Sequence, residues 1–386
     1  MTINEMLAAS NTFDLQVPLK DLVSALSIVT SVMDKKSVNP VLSCVKLSVT
    51  DGNLSLMATD GSIFVRTFVG AMVKNASIDI AVDGKLLERM IKGLGSDTIG
   101  MMHLENSNEL LIRVSDFELK LVMMSIEDFP ALPSINALAS YQILSKDLYN
   151  LIYYTEFAAS AEEVRYNLNG VCLHSSGGKE LCSAATDGFR LSTFQADVHG
   201  LQREFKIILP SKTVDFLNNL SSPIFENHII EAQIGNNIVG FVSSKLLVIS
   251  KLIDGVFPEY GGLIPRNNIN KLSIQKGCFA NAIERVAGIA DEKSKAVKIS
   301  ISCDAVNVFA YTQSKGNAKQ SISSQFFKYN GDSIEIAFQP KYLLDVLNLA
   351  KDDVEVELSF KDSTSPVLIT IDKLEYGKFV VMPIRI

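Results

Sequence analysis

The sequence predicts an α+β protein built from three repeated domains, each with two helices packed on antiparallel sheet. Three observations carry this reading. A strand-then-helix pattern recurs with the same offsets, a second helix is introduced each time by a turn former and a lysine, and the tetrapeptide Ala-Thr-Asp-Gly occurs at Ala58–Gly61 and again at Ala185–Gly188. The two tetrapeptides lie 127 residues apart. That is far beyond the period of a solenoid, about 20–50 residues, and matches the length of a whole domain.

Each repeat opens on an alternating strand that runs into an apolar stripe. Leu15 and Val17 precede Leu22, Ala25, Leu26 and Val29; Tyr141 and Ile143 precede Leu148, Leu151, Ile152 and Thr155; Leu272 and Ile274 precede Phe279, Ala282, Ile283 and Val286. Residues two apart share a strand face, and the later spacing follows the turn of a helix. Cys44–Val49, Leu54–Met57 and Ile63–Phe68, with Asp51-Gly52 between the first two, then predict antiparallel hairpins. The second helix follows Lys85, Lys212 and Lys341, with stripes Leu86, Leu87, Met90, Ile91, then Val214, Phe216, Leu217, Leu220, then Leu343, Leu344, Leu347, Leu349. The repeats are expected to close on strands ending in Phe129-Pro130, Phe257-Pro258 and Met382-Pro383. Polar, turn-rich linkers at Pro133–Ser140 and Ile264–Asn270 give domains 1–136, 137–266 and 267–386. The third copy reads Ala310-Tyr311-Thr312-Gln313 where the tetrapeptide would stand.

A chain of 386 residues with 47% hydrophobic content can bury a core in each of three domains. No apolar run approaches the about 18 residues of a membrane span, and Thr2, Asn4 and Glu5 do not form a signal peptide. Cys44, Cys172, Cys182, Cys278 and Cys303 lack metal-type spacing and read as reduced, mostly buried thiols. A cytoplasmic protein with no membrane association is expected. The net charge of −7 excludes a protein that grips nucleic acid over its whole surface, though not a local basic face.

The sequence offers little for catalysis. His103, His174, His199 and His228 sit in unrelated contexts, and neither a phosphate-binding G-x-x-x-x-G-K-[ST] loop nor a G-x-S-x-G elbow occurs. The alternative reading is a polymerase or nuclease subunit with its own metal-dependent active site, which needs convergent carboxylates. The adjacent pairs Glu162-Glu163 and Asp352-Asp353 suit a solvated face or loop, and Asp60 and Asp187 stand in Asp-Gly turns. No catalytic residue, metal site or cofactor is expected.

The runs Val164-Arg165-Tyr166-Asn167-Leu168-Asn169-Gly170, Ala185-Thr186-Asp187-Gly188-Phe189-Arg190-Leu191 and Ser250–Tyr260 resemble the central domain of the bacterial DNA polymerase III beta subunit family. Tyr342–Asn348 and the ending Val380–Ile386 resemble its C-terminal domain. The resemblance spans essentially the whole chain. It implies DNA-clamp domains that form a ring as a head-to-tail homodimer around duplex DNA, a non-catalytic processivity factor for the replicative polymerase. Such a ring holds DNA by topology and needs only weak, sequence-independent phosphate contacts.

The resemblance also implies a pocket for a short Leu/Phe peptide carried by the polymerase, the clamp loader and other partners. It would comprise Leu168, Thr186, Gly188, Phe189, Arg190, Leu191, Pro258, Leu263, Val380, Met382, Pro383 and Ile384, with Tyr342 at its edge. Met382 and Pro383 are expected to form a wall, and Leu168, Leu191 and Leu263 a floor. Phe189 stands where many relatives carry His, Gly262 where several carry Arg, and Pro366 where a small polar residue is usual, which implies an altered peptide preference. DNA contacts are expected from Lys36, Lys85, Arg89 and Lys212, and a dimer contact from Leu119 and Leu121 to the partner's Ile289 and Ala290.

Overall fold

The computed structural model describes residues 14–34, 39–74, 78–103, 107–219, 228–290 and 296–385. The first stretch runs β1 (Leu15–Pro18), α1 (Leu19–Thr30), β2 (Cys44–Thr50), β3 (Asn53–Thr59), β4 (Ile63–Gly70), β5 (Met72–Val73), β6 (Asp79–Asp83), α2 (Gly84–Ile91), β7 (Thr98–His103), β8 (Glu109–Val114) and β9 (Phe117–Met124). The second runs β10 (Ala139–Leu144), α3 (Ser145–Tyr153), β11 (Gly170–Ser175), β12 (Glu180–Thr186), β13 (Arg190–Asp197), β14 (Phe205–Pro210), α4 (Ser211–Asn219), β15 (Ile229–Ile234), β16 (Ile238–Val242) and β17 (Leu246–Lys251). The third runs β18 (Asn270–Gln275), α5 (Lys276–Ala287), β19 (Val297–Ile301), β20 (Val306–Thr312), β21 (Gly316–Ile322), β22 (Phe327–Asn330), β23 (Ile334–Phe338), α6 (Pro340–Leu347), β24 (Glu355–Phe360), β25 (Val367–Ile371) and β26 (Lys378–Val381). The same order of strand, helix, hairpins, helix and strands thus appears three times.

These elements form two compact units. The first holds a thirteen-stranded sheet, ordered β10-β15-β16-β17-β4-β3-β2-β6-β9-β8-β7-β1-β5. The second holds a nine-stranded sheet, β14-β11-β12-β13-β26-β25-β24-β18-β22, and a four-stranded sheet, β21-β20-β19-β23. Sheets continue from one repeat into the next because edge strands pair: Val248 of β17 opposes Val65 of β4, and Leu191 of β13 opposes Val380 of β26. Each such pairing satisfies two edges that would otherwise present unpaired backbone groups.

The helical stripes become core. Leu22, Leu26 and Val29 of α1, and Phe279, Ile283 and Val286 of α5, are buried, with α1 lying on β3 and β4 and α5 on β20 and β21. Thr155 is buried but lies past the end of α3, its hydroxyl donating to the Leu151 carbonyl at 2.6 Å. Leu349 likewise follows α6, and Leu220 lies outside the described residues.

The repeated tetrapeptide makes the same turn twice. Thr59 and Thr186 each accept from the glycine N–H two residues on, at 2.9 and 3.1 Å. Asp60 accepts from the N–H groups of Ser62 and Ile63, and Asp187 from those of Phe189 and Arg190. Gly61 and Gly188 have φ of 89° and 91°, a region favouring glycine. The third repeat turns at the same place, from Thr312 to Gly316, without the aspartate.

Several expectations shift. Phe129 and Phe257 are buried but do not end strands; β9 stops at Met124 and β17 at Lys251. The apolar-proline pairs are plugs in the following loops, where a proline lacking an N–H costs no ladder bond. The linkers end early, because Ala139 and Ser140 already belong to β10 and Asn270 to β18. Of the cysteines, Cys44 and Cys172 are buried, Cys182 and Cys278 half-buried and Cys303 exposed. Burial pushes the Cys172 thiol up to about 12 and that of Cys44 to about 11, which keeps both protonated and inert.

Gly170 faces β14 so closely that an added Cβ would lie 1.9 Å from the Leu209 carbonyl oxygen. Gly170→Ala should therefore lower stability by about 1–3 kcal/mol. Gly95→Ala, with nothing within 4 Å, should leave the urea midpoint nearly unchanged. A second test concerns His174, whose Nε2 lies 2.6 Å from the Tyr260 hydroxyl. Burial, then Lys206, lowers its pKa. Its stability contribution is complete above the unfolded value of about 6.5 and is lost as pH falls below it, because the unfolded chain takes up the proton first. Urea titrations at pH 7.5 and 5.5 should show a smaller drop for His174→Gln than for the parent; an equal drop would contradict this.

Candidate functional site

Within the second unit, cross-strand pairing puts one set of side chains on one face of the nine-stranded sheet. Thr186 opposes Leu191 and Leu191 opposes Val380, while Cys172 opposes Ala184 and Ala184 opposes Thr193. Directly opposed residues point to the same side. Leu168 and Phe257 cluster with Cys172, Ala184 and Ile208, flanked by Ile253 and Tyr260. An apolar shelf therefore runs from Leu168 past Thr186 to Leu191 and Val380, its side chains 4–9% exposed and reaching the surface only at their edges.

Beyond Val381 the chain stays anchored. The Met382 N–H donates to the Phe189 carbonyl at 2.9 Å, and the Ile384 N–H to the Ala337 carbonyl at 2.7 Å. Met382, Pro383 and Ile384 are half-buried. Pro258, next to the buried Phe257, is exposed. Leu263 is 56% exposed and stands in a turn closed by the bond from its N–H to the Tyr260 carbonyl.

Alternation along β13 sends Arg190 to the other side of the sheet. It is 6% exposed, with Nε 3.0 Å from Asp187 Oδ2 and Nη1 on the Asp345 carboxylate. The guanidinium also stands over the rings of Phe157 and Tyr342, 5.4 and 4.8 Å from their centroids. Two carboxylates and two π-faces compensate its lost hydration. Tyr342 in turn stacks on Phe189, at 6.4 Å between centroids and 17° between planes. Burial, then Asp187, holds the Tyr342 phenol above its ordinary pKa, so it stays neutral. Phe189 remains 53% exposed. Its ring, Tyr342 and Arg190 make a fixed aromatic step at the turn where β13 begins.

Gly188 belongs to this arrangement because an added Cβ would lie 3.0 Å from Arg165 Nη1, the atom that donates to the Asp187 carbonyl at 3.2 Å. Arg165 and Asp345 were not among the expected site residues. Asp345 was readable, since it follows Tyr342 by three on a helix and so shares its face. Arg165 was not, because its role depends on a kink in its own segment, at φ −102° and ψ 52°.

The remaining candidates are scattered. Lys36 lies outside the described residues. Lys85, on α2, is half-buried, and its ammonium donates to the Met33 carbonyl at 3.3 Å. Arg89 on α2 and Lys212 on α4 are exposed. Leu119 is half-buried and Leu121 is 4% exposed. Ile289 and Ala290 are half-buried in the turn after α5. Asp60 and Asp187 both cap turns, as Asp-Gly predicts.

Comparison with known proteins gives a consistent result. Family models of the DNA polymerase III beta subunit match in order: the N-terminal domain over residues 13–133, the central domain over 142–259 and the C-terminal domain over 262–385. The chain is 37% identical over 378 residues to the beta sliding clamp of Rickettsia felis, covering 96% of this chain and 99% of that protein. Identity to the beta sliding clamp of Caulobacter vibrioides is 30% over 372 residues, covering 95% and 98%. Among solved structures, a DnaN sliding clamp from Pseudomonas aeruginosa bound to griselimycin superposes with a TM-score of 0.88 at 27% identity, covering 96% and 99%. The C. crescentus beta sliding clamp, with PEG at a beta-motif tethering region, gives 0.86 at 29% identity, covering 96% and 99%. Three consecutive domain matches over nearly the entire length place this chain in the DNA polymerase III beta subunit family, the beta sliding clamps.

Proposed function

We propose that this chain is a DNA sliding clamp of replication, a cytoplasmic processivity factor that encircles duplex DNA and tethers the replicative polymerase, the clamp loader and other peptide-bearing partners. As a member of its family it is a non-catalytic subunit of the polymerase III holoenzyme. The observation that supports the reading is that Leu168, Thr186, Leu191 and Val380 of the expected peptide site, drawn from segments far apart in sequence, share one sheet face in a chain matched throughout by clamp domains.

The domains divide near residues 136 and 266. Two copies associate head to tail, the first domain of one meeting the third of the other near Leu119 and the partner's Ile289 and Ala290. Among the described residues β9 pairs with β6 only through Met123 and Met124, and β21 is an edge of its sheet. Both therefore carry backbone edges that association can satisfy. DNA is held by topology, with Lys36, Arg89 and Lys212 as contacts; Lys85 is the weakest of the four, its ammonium being engaged by Met33. On the shelf, each buried anchor of a Leu/Phe peptide contributes about 1.5–3 kcal/mol. After the cost of ordering a flexible peptide, two anchors give roughly micromolar affinity. No helix among the described residues is long and apolar enough to cross a membrane.

The test is loading on nicked circular DNA by a clamp loader with ATP, followed by gel filtration. The protein should co-elute with the circles and leave them once they are cut by a restriction enzyme. Failure to stay on circles, or retention that survives linearisation with open ends, would contradict the proposal.

A further inference from the structure

Three exposed apolar side chains lie on two segments that meet beside the shelf. Val164 is 91% exposed, Val256 82% and Tyr166 58%. They are not loose ends. Asn167 Nδ2 donates to the Val256 carbonyl at 2.9 Å, and the Tyr166 ring lies against Gly255, whose added Cβ would stand 3.3 Å from Tyr166 Cε2. The kink at Arg165 lets its exposed guanidinium reach the Asp187 carbonyl while leaving Val164 and Tyr166 in water. The patch is continuous with the shelf on both sides: Leu168 and Phe257, two residues from Tyr166 and one from Val256, belong to its buried cluster. Exposed apolar groups held by the backbone in this way mark an interaction surface.

Charge selects the occupant. Glu162, Glu163 and Asp254 flank the patch and are exposed, while the neighbouring cation, Arg165, is engaged by Glu162 at 3.4 Å and by the Asp187 carbonyl. Three carboxylates against one committed guanidinium repel a phosphate backbone and attract basic side chains. We propose that Val164, Tyr166 and Val256 form an outer step of the shelf that takes a third apolar side chain of the partner peptide, flanked by lysine or arginine. This rests on the shelf being the peptide site.

The experiment is fluorescence anisotropy with two labelled synthetic peptides: one carrying only the Leu and Phe anchors, and one extended, at either end, by a leucine between two lysines. The parent protein should bind one extended form about five- to tenfold more tightly than the short one. Val164→Ser/Val256→Ser, whose changed side chains are almost fully exposed, should keep the parent melting temperature and short-peptide affinity but lose that gain. A protein lacking Met382–Ile386 should bind neither peptide. No gain on extension, or an equal gain in the double variant, overturns the outer step while leaving the shelf intact. So does a double variant that keeps its peptide gain but loses retention on circular DNA, which would assign the patch to nucleic acid. No binding of the short peptide by the parent protein removes the shelf reading itself, and the outer step with it.

Discussion

Four registered pairs, Arg190–Val381, Leu191–Val380, Ser192–Phe379 and Thr193–Lys378, hold β26 against β13. This short ladder closes the central repeat's hairpin strands onto those of the last repeat, making one sheet of two. Its two faces then have separate uses. One side carries Leu191 and Val380 toward the shelf. The other sends Phe379 and Val381 into a core shared with Phe279, Ile283 and Leu343 of the last repeat's helices. Because β-strand side chains alternate, a slip of one residue would exchange these sets and lose both core and shelf.

Arg190 sits where the ladder starts, and its environment shows why this end is rigid. A guanidinium so deeply buried is tolerated only with its partners in place, so Asp187, Asp345, Phe157 and Tyr342 are fixed together. Asp187 is in turn fixed by the turn N–H groups of Phe189 and Arg190. The exposed ring of Phe189 is thereby presented on a supported platform. The Phe189 ring has neither a proton to exchange nor a hydrogen bond to give.

Much of this was legible in sequence because periodicity is a direct consequence of geometry. The offsets shared by Leu15–Val29, Tyr141–Thr155 and Leu272–Val286 located three strand-helix units, and Asp-Gly located two hairpins. What could not be read depended on long-range packing. Phe129 and Phe257 are apolar beside proline whether they end a strand or plug a loop. Leu121 looks like a strand-edge leucine until β8 and the core behind it are known. Lys85 is basic and helix-borne, yet its reach to the Met33 carbonyl requires α2 to lie beside the end of α1. Shelf residues such as Leu168 and Leu191 are indistinguishable in composition from ordinary core, and the family likeness was needed to single them out.

In the proposed function the shelf takes the partner peptide, and hydrogen–deuterium exchange of the intact protein with and without a Leu/Phe peptide addresses it without altering a residue. Amides around Thr186–Leu191 and Val380–Ile384, with those near Leu168, should slow on peptide addition. The helices α1, α2 and α5 should be unaffected. Protection confined to any other surface, with these segments unchanged at saturating peptide, would contradict the account.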